Sequence, residues 1–319
     1  PEDRAMVLER AGLGEKTNRK VVETVERVGD PREAYGAECE QLPPNTTLVH
    51  RSEAAYPRRL YDLDDPPVFL YVRGSVEVLG AEASLSVVGS RDVSVRDANR
   101  ARRMAESIAS HGIAIVSGGA LGVDRMAHRG ALDAGAGTVV FLPGGVDHPT
   151  PASNRDVFER VVDNGAMVTE YPLGVRVRRY HFPRRNRLIA ALGDATFVVR
   201  AGPDSGTLLT AEAARDIGRP LCALVGGLDE PLAEGCLDLI VSGAEAVRHA
   251  DDIVERYFSE RRAGVESDGT SGGGKAAAAS AELVVPDTVS QVKVLLESPD
   301  GETLYEEFLP VDYTWTTEP

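Results

Sequence analysis

The chain has 319 residues, enough at roughly 100–200 residues per domain for one large domain with attachments or for two domains. Hydrophobic residues make up 42% and charged residues 27%, which excludes wholesale disorder, and no apolar run reaches the roughly 18 residues of a membrane span. The net charge of -15, taken over the whole chain, argues against nucleic acid. The distribution is uneven, however. Residues 84–200 carry 16 Arg against 11 Asp and Glu, and residues 176–187 hold six Arg, His181 and no acid. Only four of the 35 basic residues are Lys, a balance that fits a GC-rich genome or a salt-adapted host. The three cysteines, Cys39, Cys222 and Cys236, show neither zinc spacing nor a disulfide framework, which leads us to expect a cytoplasmic protein. The chain opens on Pro1, so an upstream element is expected to be missing.

In chain order, residues 1–40 predict a small helical segment, with Val21, Val22, Val25 and Val28 on one apolar face. Its LGEKT run fits either a helix-hairpin-helix turn or a plain helical bundle, the simpler reading. Residues 41–83 predict an extended, turn-rich lead-in, with Pro43, Pro44, Pro57, Pro66 and Pro67. Over 84–262, short β-branched runs (LSVVG, IAIVS, TVVFL, AMVTE, TFVVR, PLCALV) alternate with helical stretches near 95–110, 121–134, 153–163, 184–192 and 206–217. That alternation predicts a doubly wound, Rossmann-like α/β fold with a parallel sheet covered on both faces. Residues 263–280 read as a flexible Gly/Ser- and Ala-rich linker. The last segment, 281–319, holds nine acids and one Lys, and VSQVKVLLE and ETLYEEFLP flank the turn signal SPDG. This acidic, strand-like tail is too small to stand alone. It could compete for a basic groove, in which case deleting 263–319 would raise affinity for DNA.

Ligands of open α/β sheets bind at the carboxyl ends of the strands. There the sequence places Gly89-Ser90-Arg91, then Ser117-Gly118-Gly119-Ala120-Leu121-Gly122, then Pro143-Gly144-Gly145, and finally Ser205-Gly206-Thr207. The run from His181 and Phe182 to Arg185, Asn186 and Arg187 should reach the same edge. Small residues admit close backbone approach, helix N-termini carry partial positive charge, and arginines add forked donors, so the edge predicts an anion. Tyr180 and Phe182 among the arginines supply π-faces of the kind single-stranded nucleic acid stacks on. Asp124 and His128 are read as a helix-start residue and a structural hydrogen bond, and Glu170 as a loop holder. His148 has no partners at metal spacing, and no metal cluster, P-loop or GxGxxG fingerprint is present. No catalytic residue, cofactor or metal is expected.

The runs SVVGSR, SGGALGVDRMAHRGAL, GTVVFLPGGVDHPTPASN, TEYPLG, FPRRNRLIAAL, SGTLLTAEAARDIGRPLCALVG and LIVSGA, with the lead-in YPRRLYDLDDPPVFLYVRG, resemble the DprA/Smf family (DNA-processing protein A) over about residues 50–250. The resemblance implies an extended Rossmann domain and a non-enzymatic homodimer. It also implies binding of single-stranded DNA and loading of a RecA-type recombinase during natural transformation. It assigns phosphate contacts to Gly89, Ser90 and Arg91 and to Arg179, and stacking to Phe182. Arg185, Asn186 and Arg187 match its RNR motif, and Ser205, Gly206 and Thr207 its SGS/SGT turn. The sequence departs from the family where Leu121 replaces an Arg, where Pro143-Gly144-Gly145 replaces GCG, and where the linker and acidic tail replace a winged-helix domain.

Two alternatives use the same edge. One is a nucleotide sensor. The other is a LOG-like phosphoribohydrolase, whose motif would put a glutamate where this chain has Thr210.

Overall fold

The computed structural model describes residues 42–51, 53–259, 291–297 and 303–310. The helical segment expected over 1–40 and the linker expected over 263–280 lie outside them. The chain divides into two units, Pro1–Asp268 and Gly269–Pro319.

The first unit is built on a nine-stranded sheet. Its strands are β1 (Thr46–His50), β2 (Phe69–Gly74), β3 (Ser84–Val88), β4 (Ala114–Ser117), β5 (Thr138–Phe141), β6 (Ala166–Thr169), β7 (Ala195–Val198), β8 (Leu221–Leu224) and β9 (Glu245–Val247). Among the described residues seven α-helices accompany them: α1 (Val95–Ala109), α2 (Val123–Asp133), α3 (Arg155–Asn164), α4 (His181–Leu192), α5 (Leu208–Asp216), α6 (Glu234–Val241) and α7 (Ala250–Tyr257). The strand order is β1-β2-β6-β5-β4-β3-β7-β8-β9. All pairs from β6 to β9 are parallel, while β1 pairs β2 and β2 pairs β6 antiparallel. The chain therefore winds from β3 out to β6, returns, and winds the other way from β7. The switch point falls between β3 and β7, where open α/β sheets place their ligands.

Alternate strand residues feed different layers, as a period of two requires. Leu85, Val87, Ile115 and Phe197 pack with Met104, Val123 and Val254, which puts α1, α2 and α7 on one face. Val88, Val116, Val139 and Val198 pack with Leu188, Ala211 and Leu239, which puts α4, α5 and α6 on the other. Both faces are covered, so the central strands are buried at every position. This is the reason they read as unbroken apolar runs. The exceptions are hydroxyl residues, Ser84 and Ser86 of β3 with Ser117, Thr138, Thr169 and Thr196, and the serines of β3 have partners. Ser84 Oγ donates to Leu192 O at 2.9 Å and Ser86 Oγ to Ile189 O at 2.6 Å. Both carbonyls belong to the last turn of α4, where a helix leaves acceptors open.

The five helices expected over 84–262 form, with ends shifted by up to three residues. The lead-in differs from expectation, because 41–83 contributes two strands to the sheet itself. The apolar run FLYVRG becomes β2, and its partner β6 lies nearly a hundred residues on. Arg59 secures this segment from beneath, through Asp194 at 2.6 and 3.0 Å and the Ala81 and Glu82 carbonyls. In the second unit, β10 (Gln291–Glu297) and β11 (Thr303–Pro310) pair antiparallel, as the flanking runs predict.

Two buried polar groups generate tests. Arg200 is 1% exposed and reaches Asp97 at 3.0 Å and Glu230 at 3.1 Å, tying the end of β7 to α1 and to the β8–α6 connection. Breaking a buried pair from one side costs about 3–5 kcal/mol. Arg200→Met should therefore lower unfolding free energy in urea by about that amount, and Asp97→Asn added to it should recover part of the loss. His128 is fully buried, and its ring shares a 2.8 Å bond with Thr138 Oγ1, which itself donates to Ile115 O. Burial pushes its pKa down to about 3, so in this range the unfolded chain takes up a proton that the folded chain refuses. Stability should fall as pH drops below about 6.5, by about 2 kcal/mol from pH 7 to pH 5 through this group alone. Urea titrations of His128→Gln should show an acid limb flatter by that amount.

Candidate nucleic-acid interface

The carboxyl ends of β3 to β7 form one edge, and the predicted site residues gather there. After β3, the Ser90 N–H donates to Arg200 O at 2.8 Å and Ser90 O accepts from the Val123 N–H at 3.1 Å. The turn is thus sewn between β7 and α2. Gly89 has no room for a Cβ against Val123. Gly122 holds φ +71°, and a Cβ there would strike the Ser90 and Arg91 carbonyls. The first two loops are therefore in backbone contact, and only glycine permits it.

The loop after β4 differs from expectation. Its sequence predicts a row of N–H groups open to a phosphate. Instead the Gly118 and Ala120 N–H groups donate to Asp124 Oδ2 at 3.2 and 3.3 Å. Asn154 Nδ2 donates to the Gly119 and Ala120 carbonyls at 2.8 and 3.0 Å, and Ser117 Oγ to Val87 O at 2.6 Å. The anion in this Gly-rich turn is the chain's own carboxylate. Burial raises the Asp124 carboxyl pKa, against the pull of Arg185 and the two N–H groups.

The RNR motif also divides. Arg185 is 3% exposed, and its guanidinium donates to the Gly118 and Phe141 carbonyls. Burial pushes its pKa down to about 10. It is a buried tie between the ends of β4 and β5 and not a surface phosphate contact. Asn186 Nδ2 donates to Gly206 O at 3.4 Å and so joins α4 to the Ser205-Gly206-Thr207 turn. Arg187 pairs with the buried Glu170 and donates to Asp65 O at 2.7 Å. Glu170 is thus a loop holder, as its place in the sequence predicts. The turn at 205–207 is partly self-satisfied, with the Thr207 N–H on Ser205 Oγ at 3.3 Å, while Gly206 stands exposed with open space around it.

The surface of the edge is made by other side chains. Arg91 is exposed, and its guanidinium carbon sits 4.8 Å from the centroid of the Phe182 ring; that of Arg185 lies 6.0 Å away. Arg176, Arg178 and Arg179 are exposed on the segment between β6 and α4. That segment is anchored by Gly145 N–H to Val175 O at 2.9 Å and by His181 Nδ1 to Pro143 O at 2.8 Å. His181 is buried, stacks on Tyr171 at 4.4 Å and meets the edge of Tyr180, which is 50% exposed, at 4.5 Å. Burial lowers the His181 pKa. Among the described residues, Arg91, Arg176, Arg178, Arg179 and Arg184 form no ion pair; several arginines elsewhere, Arg58, Arg100 and Arg103 among them, form none either, so the edge is marked by the clustering of its cations. A cluster of arginines beside the exposed Tyr180 and the half-buried Phe182, which Arg91 covers, suits a polyanion that carries aromatic bases. Among the described residues no group of three or more His, Cys, Asp or Glu is placed to hold a metal ion.

Sequence reasoning missed two structural parts of this edge. Arg200 lies beneath Ser90, and its only sequence signal was a charge directly after an apolar strand. The Tyr171–His181–Tyr180 stack joins residues from two segments, and no local pattern announces it.

Residues 47–258 match the family model described as DNA recombination-mediator protein A. The chain is 43% identical over 175 residues to a putative DNA processing protein DprA of Mycobacterium tuberculosis, a match covering 55% of this chain and 45% of that protein. It is 33% identical over 253 residues to protein Smf of Escherichia coli, covering 79% and 66%. The match thus spans less than half the length of the mycobacterial relative. The X-ray structure of DNA processing protein A from Streptococcus pneumoniae superposes with a TM-score of 0.67 at 28% identity, covering 79% of this chain and 96% of that one. DNA processing protein A from Helicobacter pylori, studied for its single-stranded DNA binding mode, gives 0.62 at 27% identity, covering 67% and 96%. An ordered set of motifs, a sheet with its switch point at the GSR turn, and a match over two-thirds of the chain agree: the chain belongs to the DprA/Smf family of DNA recombination-mediator proteins.

Proposed function

We propose that the chain binds single-stranded DNA across the strand-end edge, as a homodimer, and serves recombination by presenting that DNA to a RecA-type recombinase. It acts by binding and not by catalysis. The observation that carries this reading is the set of five unpaired arginines around Phe182 and Tyr180, on a chain whose net charge is -15. Phosphates fall to Arg91 and Arg179, which are exposed and free to turn toward the strand. Bases fall to the Phe182–Arg91 platform, where ring and guanidinium offer adjoining flat surfaces. The DNA-binding subject of the Helicobacter pylori neighbour supports the same partner. Against a LOG-like hydrolase, Thr210 is buried at 2% and brings no carboxylate to the edge.

Fluorescence anisotropy over a salt series, with labelled single-stranded and duplex DNA, tests the proposal. Arg91→Ala and Arg179→Ala should each weaken single-strand binding about tenfold and lower the salt slope by about 0.7, with melting temperature unchanged. Equal affinity in both variants and the wild type would sink the assignment. Phe182→Ala should lose about 1–3 kcal/mol of binding with little change in salt slope, because stacking releases no counterions. Arg185→Ala should behave differently from its surface neighbours. It leaves two buried carbonyls and Asp124 without their donor and cation, and should cost about 3–5 kcal/mol in folding before any effect on DNA is read.

A further inference from the structure

A groove runs between α1, α2 and α3, on the outer surface of the helical layer. It encloses about 310 Å³ and is lined by Asn99 and Arg102 of α1, Met126, Arg129 and Asp133 of α2, and Arg160 of α3. Three guanidinium groups face one carboxylate. Asp133 accepts from Arg102 at 2.8 Å and from Arg160 at 2.9 Å, which leaves most of the five donors on each arginine open. Arg129 is held more loosely. It stands 3.7 Å from Asp156, whose two oxygens already accept from Arg125 at 3.0 Å. The side chains of Arg102, Arg129 and Arg160 are 41%, 40% and 45% exposed. This excess of cations runs against the sign of the whole chain.

The groove begins about one helical turn from the strand-end edge. Both α1 and α2 begin there, directly after the Ser90–Arg91 and Gly122 turns that touch each other. Asn99 and Met126 sit one turn into their helices. Arg102 and Arg129 sit about two turns in, roughly 10 Å from the edge at 1.5 Å per residue.

We propose that a single strand held at the strand-end edge continues into this groove, where Arg102, Arg129 and Arg160 take its phosphates. The inference rests on the DNA-binding function proposed above and extends its footprint. An acidic peptide would meet the same charge. DNA is favoured because the groove begins about one helical turn from the edge.

The test uses the full chain with oligothymidylates of about six and about twenty nucleotides, lengths that bracket a single-strand site. For Arg129→Gln and for Arg129→Gln with Arg160→Gln, the short oligonucleotide should bind as in the wild type. The long one should weaken about threefold for the first and about tenfold for the second, and the salt slope should fall by about 0.7 for each arginine replaced. Arg160 also ties α3 to Asp133, so if the double variant loses stability, Arg129→Gln alone decides. Long and short oligonucleotides responding alike would overturn the inference and leave the edge as the whole site. Unchanged binding of the long oligonucleotide, with loss of binding to a poly-glutamate peptide, would overturn it in favour of an acidic partner. Failure of the wild type to bind either oligonucleotide would overturn the function beneath it instead.

Discussion

Arg185 reaches inward from α4 and donates to the carbonyls of Gly118 and Phe141, at the ends of two neighbouring strands. Those carbonyls close β4 and β5, and the Gly118 N–H in turn lies on Asp124. One guanidinium therefore fixes the loop after β4, the end of β5 and the start of α4 as a single piece. Its cost is the burial of a cation, offset by the carbonyl bonds and by the nearby carboxylate. Phe182 rests above it, and Arg91 rests on Phe182. The platform assigned to DNA is thus the top of a stack whose foundation is buried.

Charge in this molecule is arranged by layer. Away from the edge, arginines and carboxylates tie helix to helix, as Asp133 does between α1, α2 and α3. At the edge Arg91, Arg176, Arg178 and Arg179 have no such partner, while Arg187 is tied to Glu170. The whole-chain charge pointed away from nucleic acid because it averaged these regions.

Much of this was legible in the sequence. The parallel strands showed themselves because burial on both faces favours apolar residues at most positions, and the turns because glycine marks close backbone approach. The lead-in strands were not legible, since β2 becomes a strand by pairing with β6, far along the chain. At the proposed site, the sequence placed Arg91, Phe182 and Arg179 at the strand-end edge, where the structure has them, but could not separate Arg185 from its neighbours. A signal did exist. Arg185 shares a helical stripe with His181, Leu188, Ile189 and Leu192, all buried, whereas Arg184 is only partly buried. The occupation of the Gly-rich loop by Asp124 was half visible, as an acid in the first turn of α2. That its oxygen would reach back to two N–H groups depended on the folded turn.

The internal carboxylate in that loop bears on kinetics. A Gly-rich turn that waits for a phosphate must order itself when the phosphate arrives, and each encounter then carries that entropic penalty. Here Asp124 already stands in the position of the anion, so the turn has its final shape before any strand is present. Association can then proceed as docking onto a rigid rim, at a rate set by charge steering and orientation. Differences in affinity among sequences or variants should appear as differences in residence time. The proposed hand-over of DNA would gain from such an arrangement, because release requires no unfolding of the turn.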